Sequence, residues 1–146
     1  MARSRRQAGQ SVVEFALVLP VLLGLFGAAL DYSRFNAVRT NVESAARSAA
    51  EYVATNSTSS AQAAIDARRV ACAEFGMVAN CTDPAVSLVS YSTSSSAPGA
   101  TAGHPLVTAV VQVTRPFQTL FPYPLLTSGG TISLQSSGTY AILQAR

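Results

Sequence analysis

Residues 12–30 read VVEFALVLPVLLGLFGAAL, and this stretch decides the fold. It contains one charged residue, Glu14, and none from Phe15 to Leu30. As a helix, these 19 residues extend about 28 Å, close to the roughly 30 Å hydrocarbon core of a bilayer. The stretch therefore predicts a membrane-spanning helix, with a kink or loosened turn near Pro20, where one helix hydrogen bond is missing.

The predicted membrane helix, residues 10–30, is preceded by the basic stretch MARSRRQAG. These residues, 1–9, have almost no apolar content, so they are expected to form a leader or a cytoplasmic stub. Three Arg precede the span, and two, Arg34 and Arg39, follow it closely. This count favours a cytoplasmic amino terminus.

The helical pattern continues beyond the span, over residues 31–54. Apolar side chains recur at steps of three and four, at Phe35, Val38, Val42, Ala45, Ala49 and Tyr52. Glu43 and Arg47 stand on another face at a favourable i, i+4 spacing. The pattern predicts one helix from about Gln10 to Ala54, roughly 65 Å long and half of it outside the membrane. Either the protein's own globular part or neighbouring copies would cover the apolar stripe.

Residues 55–146 are expected to form a small α+β domain. Ser59 and Gln62 make a capping-box pattern that opens a second helix, which runs to about Phe75 and ends at Gly76.

The rest of this domain is expected to be β structure. Three segments are rich in Val, Ile, Thr and Tyr: residues 85–92, 106–114 and 131–143. They predict an antiparallel sheet of three strands, or four if Gly138 breaks the last one. A mobile loop is expected over 93–103, and Pro116 should open an irregular apolar loop that reaches Leu126. The predicted fold class is α+β, with the small sheet packed on the long helix.

Composition argues against several classes of function. One His, two Cys and seven scattered carboxylates leave no metal-binding cluster, and we expect no cofactor. The net charge of +3 comes entirely from Arg3, Arg5 and Arg6, so no nucleic-acid surface is predicted. His104 has no nucleophile motif to serve, so we expect neither an enzyme nor a small-molecule substrate.

The junction between leader and helix reads Gly9-Gln10-Ser11-Val12-Val13-Glu14-Phe15. A carboxylate within an apolar segment is costly, although less so near the membrane edge. By itself, Glu14 is equally well explained as a side chain that reaches the headgroups from the first helical turn, where the helix dipole favours it.

A Gly, four residues and then Glu-Phe resembles the processing site of class III signal peptides in type IV pilin-like proteins. The whole stretch 7–35 resembles the TadE-like minor pilins, or pseudopilins, of tight-adherence (Flp-type, type IVb/IVc-like) pilus systems. The similarity continues in AARSAAEYVA at 45–54 and, more loosely, in VTAVVQVTRPFQTLFP at 107–122. It implies a pilin-like fold and a non-enzymatic component needed for pilus assembly and cell adhesion.

The resemblance also implies roles for single residues. A prepilin peptidase would cut between Gly9 and Gln10, and Glu14, the fifth residue of the mature chain, would pair with a neighbour's amino terminus. Phe15 completes the processing motif, and Pro20, Gly24 and Gly27 lie on the helix that assembles. The implied partners are the peptidase, other pilin and minor pilin subunits and the bacterial inner membrane, with the carboxy-terminal domain periplasmic or carried into an extracellular pilus.

Cys72 and Cys81 enclose a short loop that would close as a disulfide in an oxidising periplasm. Two independent thiols are the alternative. Two other functions stay open: an uncleaved single-span envelope anchor whose periplasmic domain binds a partner, and a secreted protein with an ordinary signal peptide cut near Ala28.

Overall fold

The computed structural model describes residues 4–76, 81, 84–101, 104–120 and 131–143, with side chains from Gln10 onward. The elements are α1 (Ser4–Asn56), α2 (Ser60–Glu74), β1 (Ala85–Ser94), β2 (Leu106–Gln118) and β3 (Thr131–Leu143). The strands form an antiparallel sheet in the order β1-β2-β3. The prediction of an α+β fold with a long helix, a second helix and a small sheet on the helix is confirmed.

Helix α1 has 53 residues and is therefore about 80 Å long. It begins at Ser4, six residues before the predicted start, because the intervening Arg, Gln and Ala residues are good helix formers. It also continues through Pro20 as one helix. The span and its extension are thus a single element.

The core lies between the second half of α1 and the inner face of the sheet. The helix contributes mostly small side chains, and its fully buried alanines are at positions 45, 46, 49, 50 and 54. The central strand contributes Val107, Ala109, Val111 and Val113. Helix α2 adds the buried alanines at positions 63, 67 and 71, and its Arg69 lies over the Tyr52 ring. The protein's own sheet and α2 therefore cover the apolar stripe, of which Phe35 and Tyr52 are the half-buried ends.

Gly138 is where the helix and the sheet approach most closely. A Cβ atom built on this glycine would overlap the Ala46 carbonyl and lie 2.8 Å from the Arg47 nitrogen. The strand does not break there, since Gly138 pairs with Val111 in the middle of β3. The alternative of a fourth strand is wrong, because this glycine makes room for a helix rather than a turn.

Pro116 does not open an irregular loop, and that prediction is wrong for residues 116–118. Strand β2 runs on to Gln118, and Pro116 pairs with Ser133 of β3. The first residue of β1 lies opposite Thr114, so beyond that point β2 pairs with β3 alone among the described strands. Pro116 has no backbone N–H to donate, and it is tolerated at this position because only one side of β2 is paired there, as on an edge strand. Residues 121–126 of the predicted loop lie outside the described residues.

The predicted loop over 93–103 is also shorter than expected. Thr93 and Ser94 belong to β1, which has a bulge between Leu88 and Ser90 and pairs with β2 as far as Leu106. Residues 102 and 103 lie outside the described residues.

A buried polar group fixes the turn between the helices. Ser59 caps α2, accepting a hydrogen bond from the Gln62 backbone nitrogen at 3.3 Å, as the capping pattern predicts. The buried Ser57 hydroxyl donates to Asp66 of α2 at 2.9 Å, and the Tyr91 hydroxyl donates to the Ser57 carbonyl at 2.6 Å. These bonds join α1, α2 and β1 at one end of the core.

Candidate functional site

The first half of α1 presents apolar side chains in every direction. From Gln10 to Leu30 every residue except Gly27 is exposed, including large ones such as Leu17, Leu25 and Phe26. The most apolar stretch of 18 residues in this helix has a mean hydropathy of 2.3, and only 6% of it is buried. This helix is long and apolar enough to cross a membrane, whereas the core helix of a soluble domain would be mostly buried. It is compatible with a single-pass membrane anchor.

The residues of the predicted processing motif all lie within α1. Gly9 and Gln10 have helical backbone. The Gln10 side-chain amide donates to the Glu14 carboxylate at 3.2 Å, one helical turn away, and Phe15 is exposed. The carboxylate of Glu14 is exposed too, so a group from another chain can reach it.

The glycines of the predicted assembly helix differ in their surroundings. A methyl group added at Gly24 would have no neighbouring atom within 4 Å, so its face of the helix is open. Gly27 is buried, and so is Asp31, one turn further along the same face. Pro20 lies on exposed helix between the glycines and Glu14. A close approach by another helix is therefore possible at Gly24.

Asp31 is a buried acidic residue that sequence reasoning missed. Its side chain accepts the backbone N–H of Leu120, with distances of 2.9 and 3.1 Å to its two oxygens. One oxygen also lies 3.3 Å from the Arg34 guanidinium. A signal was present, because Asp31 directly follows the apolar run and is the only carboxylate between Glu14 and Glu43. The contact fastens the end of β2 to α1.

Three side chains pack around this contact between Asp31 and Leu120. Phe117, which is buried at the end of β2, meets the Phe35 ring edge-on, with 5.7 Å between ring centroids. The guanidinium of Arg34 lies 5.6 Å from the centre of the Phe117 ring. An ion pair, a cation–π contact and an aromatic pair thus hold helix and strand together where the apolar span ends.

Cys72 and Cys81 are joined by a disulfide, which closes the chain between the end of α2 and the approach to β1. Arg68 donates to the Cys81 carbonyl, and Arg115 of β2 lies over the Phe75 ring at 4.7 Å. The bridge is therefore part of a contact between α2 and the sheet.

His104 exchanges backbone hydrogen bonds with Thr101 at 3.0 and 3.1 Å. Its position is exposed, and no group of three or more His, Cys, Asp or Glu residues is close enough to hold a metal ion in the described part of the chain.

Residues 9–51 match the family described as TadE-like protein. The match covers the leader junction, the exposed apolar helix and most of the part that packs on the sheet. No curated protein and no solved structure matches the chain significantly. Over residues 9–51 the chain is therefore similar to TadE-like proteins, a structural family associated with tight-adherence pili.

Proposed function

We propose that this TadE-like chain is a minor pilin, made as a membrane precursor and needed for assembly of a tight-adherence pilus. The observation that carries the proposal is the exposed apolar surface of residues 10–30, which lies within the TadE-like match. In water this surface would be strongly unfavourable, at roughly 25 cal/mol for each Å² of apolar area. Lipid before assembly and neighbouring helices afterwards would both cover it.

The leader, residues 1–9, is removed by a prepilin peptidase between Gly9 and Gln10. Removal takes away Arg3, Arg5 and Arg6 and leaves a new ammonium group on Gln10. Because residues 4–9 are helical in the uncut chain, the peptidase must unwind this turn to reach the bond. The mature protein then keeps a membrane helix at 10–30, its periplasmic extension at 31–54 and the domain at 55–146.

Glu14 pairs with the amino terminus of a neighbouring subunit. Within one chain its carboxylate accepts a hydrogen bond from the neutral amide of Gln10, at 3.2 Å, which is a weaker partner than an ammonium group. An ammonium and a carboxylate attract strongly where lipid or packed helices exclude water. The pair would draw subunits together in a fixed axial register.

The cleavage is tested by the amino-terminal residue of the mature protein. We expect Gln10; Met1 or Ala2 would instead indicate the uncleaved envelope anchor, and a residue near Ala29 would indicate an ordinary signal peptide. Gly9→Val should leave a precursor nine residues heavier, whereas the matched variant Ala8→Val should mature normally. Normal maturation of Gly9→Val to Gln10 would contradict the peptidase assignment.

The assembly role is tested by Glu14→Gln, which keeps the shape of the side chain and removes its charge. We expect normal cleavage and membrane insertion but loss of the protein from sheared pilus fractions. Glu43→Gln is the matched control, because it removes a carboxylate from the same helix where the partner, Arg39, is in the same chain at 3.0 Å. Equal recovery of both variants in filaments would refute the pairing.

A further inference from the structure

The end of β2 is held at the level of the helix where the apolar span stops. Asp31 follows Leu30, the last residue of the apolar run, and its two oxygens lie 2.9 and 3.1 Å from the Leu120 nitrogen. Asp31 is 5% exposed and pairs with Arg34, so its charge is compensated within the protein. A carboxylate satisfied in this way can lie beside hydrocarbon.

The depth of Leu120 in a bilayer follows from this attachment. Asp31 stands 17 positions after Glu14, which corresponds to about 26 Å along the helix. If these two carboxylates lie at opposite edges of the roughly 30 Å hydrocarbon core, then Asp31 is level with the headgroups of the far leaflet. The Leu120 backbone, within hydrogen-bonding distance of Asp31, is at the same level.

The side chains exposed at this level are of the kinds found at membrane surfaces. Leu120 is 58% exposed and Tyr32 is 68% exposed. The Arg34 side chain, about one turn further along the helix, is half exposed while it pairs with Asp31. Tyrosine is enriched at both membrane–water interfaces, and a basic side chain just beyond the end of a membrane span has its charge at the level of the headgroups.

We propose that Leu120 and Tyr32 form a second membrane contact, which seats the periplasmic domain on the headgroup layer beside its own span. This inference rests on the proposed insertion of residues 10–30. The partner is the lipid bilayer, because Tyr32 and, through its bond to Asp31, Leu120 lie directly beyond Leu30, the last residue of the exposed apolar span. The domain is thereby held against the membrane until the subunit is extracted into a filament.

The test uses single tryptophans in the full chain, which has none of its own. The protein is reconstituted into vesicles of phosphatidylcholine and phosphatidylglycerol, with bromine near either the headgroup end or the methyl end of one acyl chain. Leu120→Trp and Tyr32→Trp should emit at shorter wavelength than in water and lose more emission to the headgroup-end bromines. Leu22→Trp, in the middle of the span, should lose more emission to the methyl-end bromines.

Val89→Trp is the matched control in water, since Val89 is exposed on the β1 bulge. It should be quenched by aqueous acrylamide and unaffected by brominated lipid. If Leu120→Trp and Tyr32→Trp are quenched by acrylamide and not by brominated lipid, while Leu22→Trp is quenched by lipid, the second membrane contact is refuted. Membrane insertion of residues 10–30 would still be supported. If both are shielded from acrylamide yet unaffected by bromine, protein covers them and the lipid assignment is also refuted. Failure of Leu22→Trp to respond to lipid would refute the membrane anchor itself.

Discussion

Gly138→Ala should weaken the packing of the sheet on α1. The added methyl group would overlap the Ala46 carbonyl and lie 2.8 Å from the Arg47 nitrogen, and both are backbone atoms within a helix. Neither can rotate away. The helix would have to move by more than about 1 Å to restore ordinary van der Waals contact with the Ala46 carbonyl, which would loosen the alanines that fill the core.

The expected loss of stability follows from two opposing contributions. Overpacking a filled core costs about 1–3 kcal/mol, and the rigid backbone on the helix side places Gly138→Ala near 3 kcal/mol. Replacing glycine by alanine restricts the unfolded chain and returns about 0.4–1 kcal/mol. The net loss is therefore about 2 kcal/mol, which moves the midpoint of a denaturation curve well beyond the error of measurement.

The assay is equilibrium urea denaturation of the full chain in detergent micelles, followed by circular dichroism. Ser137→Ala is the control on the strand, because Ser137 is exposed, and Gly24→Ala is the control for the glycine change, because nothing lies within 4 Å of its added methyl. Both should unfold at the midpoint of the unmodified protein or slightly above it. If Gly138→Ala unfolds there as well, the close approach of helix and sheet does not exist as described.

Two further predictions concern the other end of the core. Asp66→Ala should lower the free energy of unfolding by about 1–3 kcal/mol in the same urea denaturation, because it leaves the buried Ser57 hydroxyl without its acceptor. The control is Glu74→Ala, which changes an exposed residue of the same helix and should have little effect. Equal stability of the two variants would contradict this reasoning. Replacing Cys72 and Cys81 together by Ser should cost about 2–3 kcal/mol, as expected for a bridge over a short loop, and unreduced periplasmic protein should have a mass lower by two hydrogens than its reduced form; free thiols on both residues would contradict the bridge.

The long helix and its stripe were predictable because their signals are local. An uncharged run from Phe15 to Leu30 and apolar residues at steps of three and four depend only on the neighbouring sequence. The N-cap of α2 at Ser59 was predictable for the same reason, since a capping side chain bonds within its own turn.

Features that depend on distant parts of the chain could not be predicted. Pro116 lies in a strand because β1 begins opposite Thr114, and strand register is not visible in the residues around a proline. Asp31 receives its hydrogen bond from a residue 89 positions away. The role of Gly138 also depends on a distant part of the chain. A glycine in a strand indicates either a turn or a close approach of another backbone, and only the position of α1 distinguishes the two.

Continuous helix joins the apolar span to the residues of α1 that pack on the sheet. The helix is continuous from Leu30 to Val42, the Asp31 contact fastens the end of β2 at one level, and Ala46 against Gly138 fixes β3 about four turns further along. Two attachments separated along one continuous helix determine the direction of the sheet as well as its position. A rotation or axial shift of the span therefore moves the domain by the same amount. For a minor pilin, pairing at Glu14 in the membrane would then also set which face of the domain meets the neighbouring subunit.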